Sequence, residues 1–240
     1  MPINAILPAN RTPRLSIIVP VLNEAAVIAA TLAPLQAWRE HGLEIIVVDG
    51  GSCDGTPLLA AAQADLVITS APGRSIQMNA GAARAHAETL LFLHADTQLP
   101  PQAFYSVISA VDMGVGWGRF DVHIAGRLRG LALVAFMMNW RSCLTGIATG
   151  DQAMFVRRQL FETLGGFPPI PLMEDVALSK KLRALTPPVC LSEKVVTSGR
   201  RWEKHGLWRT IFLMWWLRLR YQLGADPMAL AQAYGYKTHG

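Results

Sequence analysis

Charged residues are scarce in this sequence. Asp, Glu, Lys and Arg make up 16% of its 240 residues, against roughly 25% in ordinary globular domains, whereas 51% are hydrophobic and the mean hydropathy is +0.27. This composition excludes a disordered chain. The length suits one larger domain, or one domain with a small appendage, that buries a substantial core.

Cysteine is scarce too, and the sequence shows neither a secretion signal nor a membrane span. Cys53, Cys143 and Cys190 lie far apart without a CxxC pair, which excludes a disulfide framework and a zinc site. No basic stretch followed by a continuous apolar run stands at the N-terminus. The apolar run at 211–217 is too short for a span, which needs about 20 residues. We therefore expect a cytoplasmic protein.

Acidic residues are nearly missing from 200–220, where Glu203 is the one acid. The net charge of +5 is concentrated in this segment. Such a patch suits phosphate groups or an anionic membrane surface, whereas nucleic-acid binders spread basic and aromatic residues over a wider face. We expect no nucleic-acid partner. The basic residues are Arg200, Arg201, Lys204, Arg209, Arg218 and Arg220.

The common phosphate-binding loops are absent, but strands alternate with helices. The glycines of GGSCDGT (50–56) lack the GxGxxG spacing, and Thr56 stands where a P-loop needs Lys. Alternation predicts an α/β fold with a parallel sheet. Strands are predicted at 15–19, 44–48, 66–69, 89–93, 116–124 and 153–156, with two short strands in 189–197; helices are predicted at 23–38, from 56, and at 75–87, 129–144 and 174–185.

Three of the first four predicted strands end at polar residues. Asn23 and Glu24 follow the first strand, Asp49 ends the second, and Asp96 follows the fourth. Ligands of open α/β sheets bind beyond the carboxyl ends of the strands, so we expect these side chains to converge. An aspartate such as Asp49 can accept hydrogen bonds from a planar base.

Four segments in this order resemble the family 2 glycosyltransferases of the GT-A fold. They are IIVPVLNE (17–24), VVDGGSCDGT (47–56), GRSIQMNAGAARA (73–85) with LLFLHADT (90–97), and GGFPPIPLMEDVALSKKLR (165–183). The resemblance covers about 15–205 and implies a mostly parallel open sheet with a nucleotide-binding half and an acceptor half. Residues 1–14 would be an N-terminal tail, and 206–240 a C-terminal apolar and basic helix and tail.

Finer sequence variants resemble a narrower group within that family. FLHADT, GDQAMFVRR, PLMED and RRWE are similar to small stand-alone bacterial members linked to arsenosugar biosynthesis.

The resemblance implies a site for a nucleoside diphosphate sugar, with UDP as the expected nucleotide. In the family, the first loop and the acid after the second strand hold the base, while the segment at 74–81 lines the donor. Arg74 would meet phosphate, unless it is a solvated surface residue; Asn79 would meet ribose or backbone, or cap a helix. The residues assigned to the nucleotide are Pro20, Val21, Asn23, Glu24, Asp49, Gly51, Arg74, Asn79 and Ala95.

The resemblance also implies a divalent cation, Mn²⁺ or Mg²⁺. Asp96 matches the last acid of the family's DxD signature, and a hard carboxylate oxygen suits either ion. His94 stands where the family has an acid; it could bind Mn²⁺, contact ribose or pack as a buried histidine. His205 is a further candidate ligand, with a surface histidine as the alternative.

The pair Glu174–Asp175 matches the family's ED motif. One carboxylate must take the proton of the acceptor hydroxyl when sugar is transferred by a single displacement with inversion. By the match Asp175 is this base, and Glu174 positions the acceptor or the base. Alternatively, two acids in a first helical turn only favour the helix dipole.

Two further segments resemble the acceptor side of the family's site. Asp151 and Gln152 match a turn near the transferred sugar, although Asp151 could simply close that turn. Arg200, Arg201 and Trp202 match the end of the QxxRW signature. Because Ser198 replaces the Gln, processive polymer synthesis is not expected. The arginines would grip the diphosphate, and Trp202 would wall the acceptor site.

The segment 207–223 has three alternative roles: peripheral contact with the inner face of the membrane, a homodimer contact, or a buried capping helix. Arg218 falls opposite Arg209 and Arg220 on a helix, which weakens the amphipathic pattern. The helix at 131–138 is ambiguous in the same way.

The sequence thus predicts a metal-dependent inverting transferase that moves a sugar from a nucleoside diphosphate to an unknown hydroxyl acceptor. A nucleotidyltransferase is one alternative, but it needs a basic phosphate-binding signature that VLNE (21–24) lacks. A catalytically inactive sugar-nucleotide-binding protein is the other, and His94 in place of an acid keeps it open.

Overall fold

Four parallel strands form one part of an eight-stranded sheet in the computed structural model, which describes residues 12–236. They lie side by side in the order β3-β2-β1-β4. Three of them, all except β3, are buried along their whole length, which accounts for their unbroken runs of Ile, Val and Leu. The strands are β1 (Leu15–Val21), β2 (Leu43–Asp49), β3 (Leu66–Thr69) and β4 (Thr89–Phe92).

The other part of the sheet contains its antiparallel pairs. β7 is antiparallel to both β4 and β6, while β8 is parallel to β6 and antiparallel to β5. The order of the whole sheet is β3-β2-β1-β4-β7-β6-β8-β5, so the predicted mostly parallel α/β fold is confirmed. The strands of this part are β5 (Thr97–Gln98), β6 (Trp117–Ala125), β7 (Phe155–Arg157) and β8 (Val189–Ser198).

Helices connect the strands. α1 (Ile28–Leu32) continues into a 3-10 helix (Ala33–His41), because Pro34 near its start lacks the amide donor that a continuous α-helix needs. The other helices are α2 (Thr56–Ala61), α3 (Arg74–Arg84), α4 (Ala103–Asp112), α5 (Leu131–Thr145), α6 (Arg158–Thr163), α7 (Glu174–Leu185), α8 (Arg200–His205), α9 (Leu207–Gln222) and α10 (Pro227–Tyr234), with a 3-10 turn at Gly150–Gln152.

Two hydrophobic clusters lie on opposite faces of the sheet. Ile17 and Val19 of β1 belong to one cluster, and Ile18 between them belongs to the other, as the alternation of side chains along a strand requires. A third cluster joins the C-terminal helices to α7: Leu217 of α9 and Leu230 of α10 pack with Val176. The predicted division of the chain at 206 stays a prediction, but the helices beyond it share this cluster with α7.

Most predicted elements are confirmed, and one prediction is wrong. β3 and α7 have the predicted bounds. The two short strands expected in 189–197 are the single strand β8, because a register shift opposite Phe120 and Asp121 of β6 absorbs the irregularity. The sequence did not predict α4. No helix within 12–236 has the length and apolar character needed to cross a membrane.

Candidate active site

The loops after β1 and β2 are fastened to each other by hydrogen bonds. The Asn23 backbone N–H donates to Ser52 Oγ (2.8 Å), and the Cys53 N–H donates back to Asn23 Oδ1 (2.9 Å). The Glu24 N–H donates to Thr56 Oγ1 (2.9 Å). The two loops predicted to converge therefore form one rigid rim at the carboxyl ends of the strands.

Asp49, at the end of β2, holds the loop of this rim in place through hydrogen bonds. Its buried carboxylate accepts hydrogen bonds from the N–H groups of Gly51 and Ser52, both at 3.0 Å. Gly51 has φ +96°, a conformation that glycine adopts without strain. A carboxylate has about four acceptor positions, so Asp49 retains capacity for a ligand. Pro20 and Val21 are buried in β1 below the rim.

Gln77 supports the same rim, and the sequence analysis did not assign it a role. Its buried side-chain amide donates to the backbone oxygens of Val21 and Val48, each at 2.8 Å. Gln77 thus joins α3 to the ends of β1 and β2. A polar residue on the buried side of the GRSIQMNAG segment was the signal that could have identified it.

Arg200 lies between two carboxylates beside the rim. Its Nη2 atom is 3.4 Å from Asp96 Oδ2 and 3.6 Å from Glu24 Oε2. Partial burial raises the pKa of Glu24, Arg200 opposes this shift, and Asp96 adds to it. The end of β4, the first loop and the start of α8 therefore meet at one half-exposed ionic cluster.

His94, two residues before Asp96, links the donor side to the turn at 150–152. Its Nδ1 atom lies 3.3 Å from Asp151 Oδ1. A Cβ atom on Gly150 would lie 2.4 Å from the His94 ring, so only glycine lets the backbone approach so closely. The buried Gln152 stabilises the turn, since its Oε1 atom accepts from the Thr149 N–H (3.2 Å).

The predicted base lies against the other side of this turn. The Gly150 N–H donates to Asp175 Oδ2 (2.8 Å), while the Val176 N–H donates to Asp175 Oδ1 (2.6 Å). Asp175 keeps solvent access, whereas its neighbour Glu174 is buried. Burial and the adjacent Asp175 carboxylate raise the pKa of Glu174 to about 7. The pair therefore holds one accessible and one buried carboxylate.

Basic side chains surround these acids. Arg74 is exposed to solvent between Glu24 of the rim and Asp151 of the turn at 150–152, in the space that we call the cleft. Desolvation by the surrounding protein would lower the pKa of Arg74, but Tyr236, Glu174, Tyr234 and Asp151 outweigh this effect and raise it.

Asp151 is likewise half-exposed within the cleft. Desolvation would raise the pKa of Asp151, but its hydrogen bond to His94 and the charges of His94, Arg74 and Arg218 lower it.

Two further arginines near Asp175, from α5 and α9, were not predicted as site residues. Burial and the proximity of Arg218 lower the pKa of Arg141 to about 10. Burial also lowers the pKa of Arg218, against the opposing charges of Asp175 and Asp151. Tertiary packing brings these cations together from distant parts of the chain, so no local motif could have identified them.

Some predicted nucleotide residues make internal contacts. The Asn79 side chain donates to the Phe167 carbonyl (2.8 Å) and accepts from the Phe167 N–H (3.0 Å), so both ends of its amide are engaged. Ala95 is buried, and its carbonyl accepts a hydrogen bond from the Thr31 hydroxyl (2.5 Å). Asn79 thereby ties α3 to the loop before α7. Its contact with ribose stays a prediction.

The side chains of the residues that follow β8 point in different directions. Arg201 turns away from Arg200: its Nη2 atom donates to the Tyr234 carbonyl (2.8 Å), and its guanidinium stacks 3.5 Å from the Tyr234 ring centre. Trp202 is partly buried and packs against the hydrophobic cluster that contains Ile17 and Val19. His205 is exposed at the end of α8. Arg200 is therefore the arginine of this segment that contacts Glu24 on the rim and Asp96.

The three predicted metal ligands do not form one cluster. Within 12–236 there is no group of three or more His, Cys, Asp or Glu side chains placed to hold a metal ion together. His94 is oriented by Asp151, whereas Asp96 faces Glu24 and Arg200. Asp96 still fits a divalent cation by its chemistry, since its half-exposed carboxylate already balances a positive charge.

Strained backbone concentrates around the cleft. Among the described residues, the non-glycine residues with positive φ are Asn23 (55°), Ala153 (45°) and Met173 (68°). Asn23 is on the rim, Ala153 follows the turn at 150–152, and Met173 precedes Glu174. Such conformations persist where the surrounding structure enforces them, and they cluster at functional sites.

Comparison with known proteins identifies the family. The model described as "Glycosyl transferase family 2" matches residues 16–164, most of the chain. The chain belongs to glycosyl transferase family 2. A curated relative, the "Probable glycosyltransferase YdaM" of Bacillus subtilis (strain 168), is 25% identical over 248 residues, covering 91% of this chain and 56% of the relative. The chain thus spans about half the length of that relative.

Solved glycosyltransferases share the GT-A fold of this chain. The mannosyltransferase PcManGT from Pyrobaculum calidifontis, in complex with GDP-Man and Mn²⁺, has a TM-score of 0.66 at 24% identity and covers 95% of this chain and 70% of its own. S. aureus TarS 1–349 in complex with UDP-GlcNAc has a TM-score of 0.63 at 19% identity, with coverages of 77% and 58%. These likenesses concern the fold, so substrates must be argued from the site.

Proposed function

We propose that this family 2 protein transfers a sugar, with inversion, from a nucleoside diphosphate donor to a hydroxyl acceptor. The observation that carries the proposal is a continuous path of contacts across the cleft. Asp96 lies two residues from His94, which contacts Asp151 and Gly150, and Gly150 in turn holds Asp175. The donor-side acid and the acceptor-side base therefore flank one cleft.

The rim at 22–24 and 49–52 would bind the nucleoside, with Asp49 accepting from the base. Arg74 and Arg200 would bind the diphosphate, because exposed guanidinium groups in a cleft recognise phosphate oxygens in pairs. We propose UDP as the nucleotide. The solved relatives that bind UDP-GlcNAc or GDP-Man support a nucleotide sugar in general rather than this choice of base.

We propose that Asp96 would hold Mn²⁺ or Mg²⁺ when the donor is bound. Such an ion would offset the negative charge that grows on the departing nucleoside diphosphate. Asp96 and Glu24 now share the charge of Arg200, so Arg200 must move toward the phosphates if a cation takes its place. His94 orients Asp151 instead, and a metal role of His94 or His205 stays a prediction.

In the transfer step, the acceptor oxygen forms a bond with the anomeric carbon while the bond from that carbon to the phosphate oxygen breaks. The electron pair of the broken bond leaves with the nucleoside diphosphate. The acceptor proton passes to Asp175, which is accessible and fixed in place by the Gly150 N–H. Glu174 is too buried to reach the acceptor, so we assign it to positioning Asp175. Asp151 would contact the acceptor or the transferred sugar.

Calorimetry tests the donor site. UDP and GDP are titrated into the purified protein with and without Mn²⁺, and the titrations are repeated on Asp96→Asn and on the control Asp112→Asn, whose carboxylate pairs with Arg14 at the surface. We expect Mn²⁺ to strengthen UDP binding in the wild type and the control but not in Asp96→Asn. Absence of nucleotide binding in the wild type under all conditions would overturn the proposal.

Narrower assignments rest on the sequence. Membership of the stand-alone group linked to arsenosugar biosynthesis depends on the variants FLHADT, GDQAMFVRR, PLMED and RRWE, and we retain it as a prediction. A cytoplasmic location and a homodimer are likewise predictions. The acceptor hydroxyl has no assigned identity.

A further inference from the structure

Two neighbouring helices expose apolar stripes that the transfer reaction does not use. We propose that these stripes form one surface, the α5–α9 face, which docks on an anionic phospholipid bilayer. The face consists of Leu133, Phe136, Met137, Trp140 and Leu144 of α5 with Trp208, Phe212, Trp215, Trp216, Leu219 and Leu223 on and just after α9.

The stripe on α5 follows helical spacing. Its members recur at intervals of three or four residues, which places them on one side of the helix. Phe136 is 62% exposed and Trp140 is 56% exposed, whereas Leu131, Ala135 and Ser142 on the opposite side are buried. α5 therefore points its small or aliphatic side at the protein and its aromatic side outward, the reverse of an ordinary surface helix.

The stripe on α9 has the same arrangement. Trp208 and Trp215 are 68% and 65% exposed, while Thr210 and Leu217 are buried. Arg218, which interrupts the amphipathic pattern in the sequence, is half-buried and lies near Asp175 on the inner side of the helix. The outer side of α9 is therefore continuous and apolar.

The two helices approach each other near both of their ends. At their N-terminal ends, a Cβ atom on Gly130 would lie 2.3 Å from the Leu207 side chain. At their C-terminal ends, Arg141 of α5 lines the same cavity as Arg218 and Tyr221 of α9. From these two contacts we place both stripes on one outer face of the molecule.

The charges around this face match anionic headgroups. Arg127, Arg129, Arg209 and Arg220 are exposed along its edges, and none of them forms an ion pair within residues 12–236. The sequence has no acid in 126–149 or 204–225. Tryptophan and arginine together suit the boundary between lipid headgroups and acyl chains.

A second copy of the chain fits this face less well. A two-fold dimer brings the same patch of both subunits together, so the arginines at its edges would meet arginines without an acid to pair with. The neighbouring acids already accept hydrogen bonds within their own chain: Glu203 accepts from the Arg127 N–H (2.7 Å), and Asp226 caps α10. At 15 and 16 residues, α5 and α9 are suited to lie in the plane of the bilayer.

Vesicle co-sedimentation tests the proposal without nucleotide or acceptor. The full chain is mixed with vesicles of phosphatidylcholine alone or with about one third phosphatidylglycerol. We expect tight binding to the anionic vesicles, and a reduction of at least about tenfold in Phe136→Glu/Trp215→Glu. The matched control is Leu58→Glu, at an 80% exposed leucine on α2, which should bind like the wild type.

A charge variant makes the test specific for anionic lipid. Each arginine near such a surface raises the affinity for anionic vesicles about fivefold. The double variant Arg209→Gln/Arg220→Gln should therefore bind these vesicles about 25-fold more weakly, while the control Arg84→Gln should keep the affinity of the wild type. UDP titration of each variant verifies that its cleft is intact. Equal binding to neutral vesicles, no vesicle binding, or a dimer in sedimentation velocity that Trp215→Glu abolishes would each overturn the proposal.

Discussion

The two halves of the cleft, which we propose to hold the donor and the acceptor, are built in different ways. At the donor half, short polar loops after neighbouring strands fasten each other through hydrogen bonds, such as those that join Asn23 to Ser52 and Cys53. At the acceptor half, charged groups from α5, α7, α9 and the turn at 150–152 converge, and several are buried or crowded. The donor half depends on backbone geometry, and the acceptor half on electrostatics.

This difference indicates how each half should respond to mutation. A lost hydrogen bond in the donor loops should reduce both folding stability and nucleotide binding, because the same contacts serve both. A changed charge in the acceptor half should alter turnover or pH dependence with little effect on nucleotide binding. The following predictions test that separation, from the largest expected effect to the smallest.

Asp175→Asn should lower kcat by about 10²- to 10⁴-fold, because an amide cannot take the acceptor proton. UDP affinity should change little, since Asp175 lies on the acceptor side. Steady-state kinetics with a nucleotide sugar that the wild type uses as a donor measure kcat. Calorimetry with UDP measures the affinity. Glu174→Gln serves as the matched variant and should retain more activity. Equal loss of nucleotide binding in both variants would contradict the division of the cleft.

Gln77→Leu should reduce the free energy of unfolding by about 1–3 kcal/mol, since the Val21 and Val48 carbonyl oxygens lose their buried donor. UDP binding should weaken as well. Urea denaturation and calorimetry measure these effects, and Gln159→Leu on the exposed surface of α6 is the control. A stable Gln77→Leu protein with unchanged UDP binding would refute the supporting role of Gln77.

Arg201→Gln should reduce the free energy of unfolding by about 1 kcal/mol. The substitution removes the stacking on the Tyr234 ring and weakens the hydrogen bond to the Tyr234 carbonyl. The effect should be local, with faster amide hydrogen exchange in α10 and unchanged exchange in the strands. Arg84→Gln is the control. Faster exchange in β1 and β2 instead would show that the donor half depends on α10.

Glu174 should make the protein less stable as pH rises from about 4.5 to about 7. Its pKa is about 7 in the folded state against the ordinary 4.5, so the folded state binds more protons in this window. Glu174→Gln should remove this part of the slope. Urea midpoints of both proteins at pH 5 and pH 7.5 give the difference, and identical slopes would contradict the raised pKa.

Sequence patterns predicted the donor half well because its signals are local. The apolar, β-branched runs at 15–19 and 44–48 predicted buried strands, which the structure extends to Leu15–Val21 and Leu43–Asp49, and polar residues at the ends of parallel strands meet at one edge of the sheet. The N-terminal acids of α7 and the proline-rich segment before it located that helix to the residue. By contrast, α4 was not predicted, although its buried residues Phe104, Val107, Ile108 and Val111 recur at helical spacing.

The acceptor half was only partly predictable for a physical reason. Arg141, Arg218 and Tyr234 lie far apart in sequence, and their roles follow from the packing of α5, α9 and α10 beside α7. Arg201 was expected at the diphosphate, yet it stacks on Tyr234 because α10 lies within its reach. Patterns in sequence report periodicity and motifs, but they do not report which helices become neighbours.

The left-handed backbone at Asn23, Ala153 and Met173 has an evolutionary consequence. Ala153 and Met173 each cost about 1–2 kcal/mol relative to an ordinary conformation, a cost that glycine would remove, whereas asparagine tolerates this conformation at Asn23. Selection for heat resistance and selection for turnover therefore oppose each other at these positions. Relatives from hot environments should relieve strain elsewhere in the chain before they relax the backbone beside Glu174.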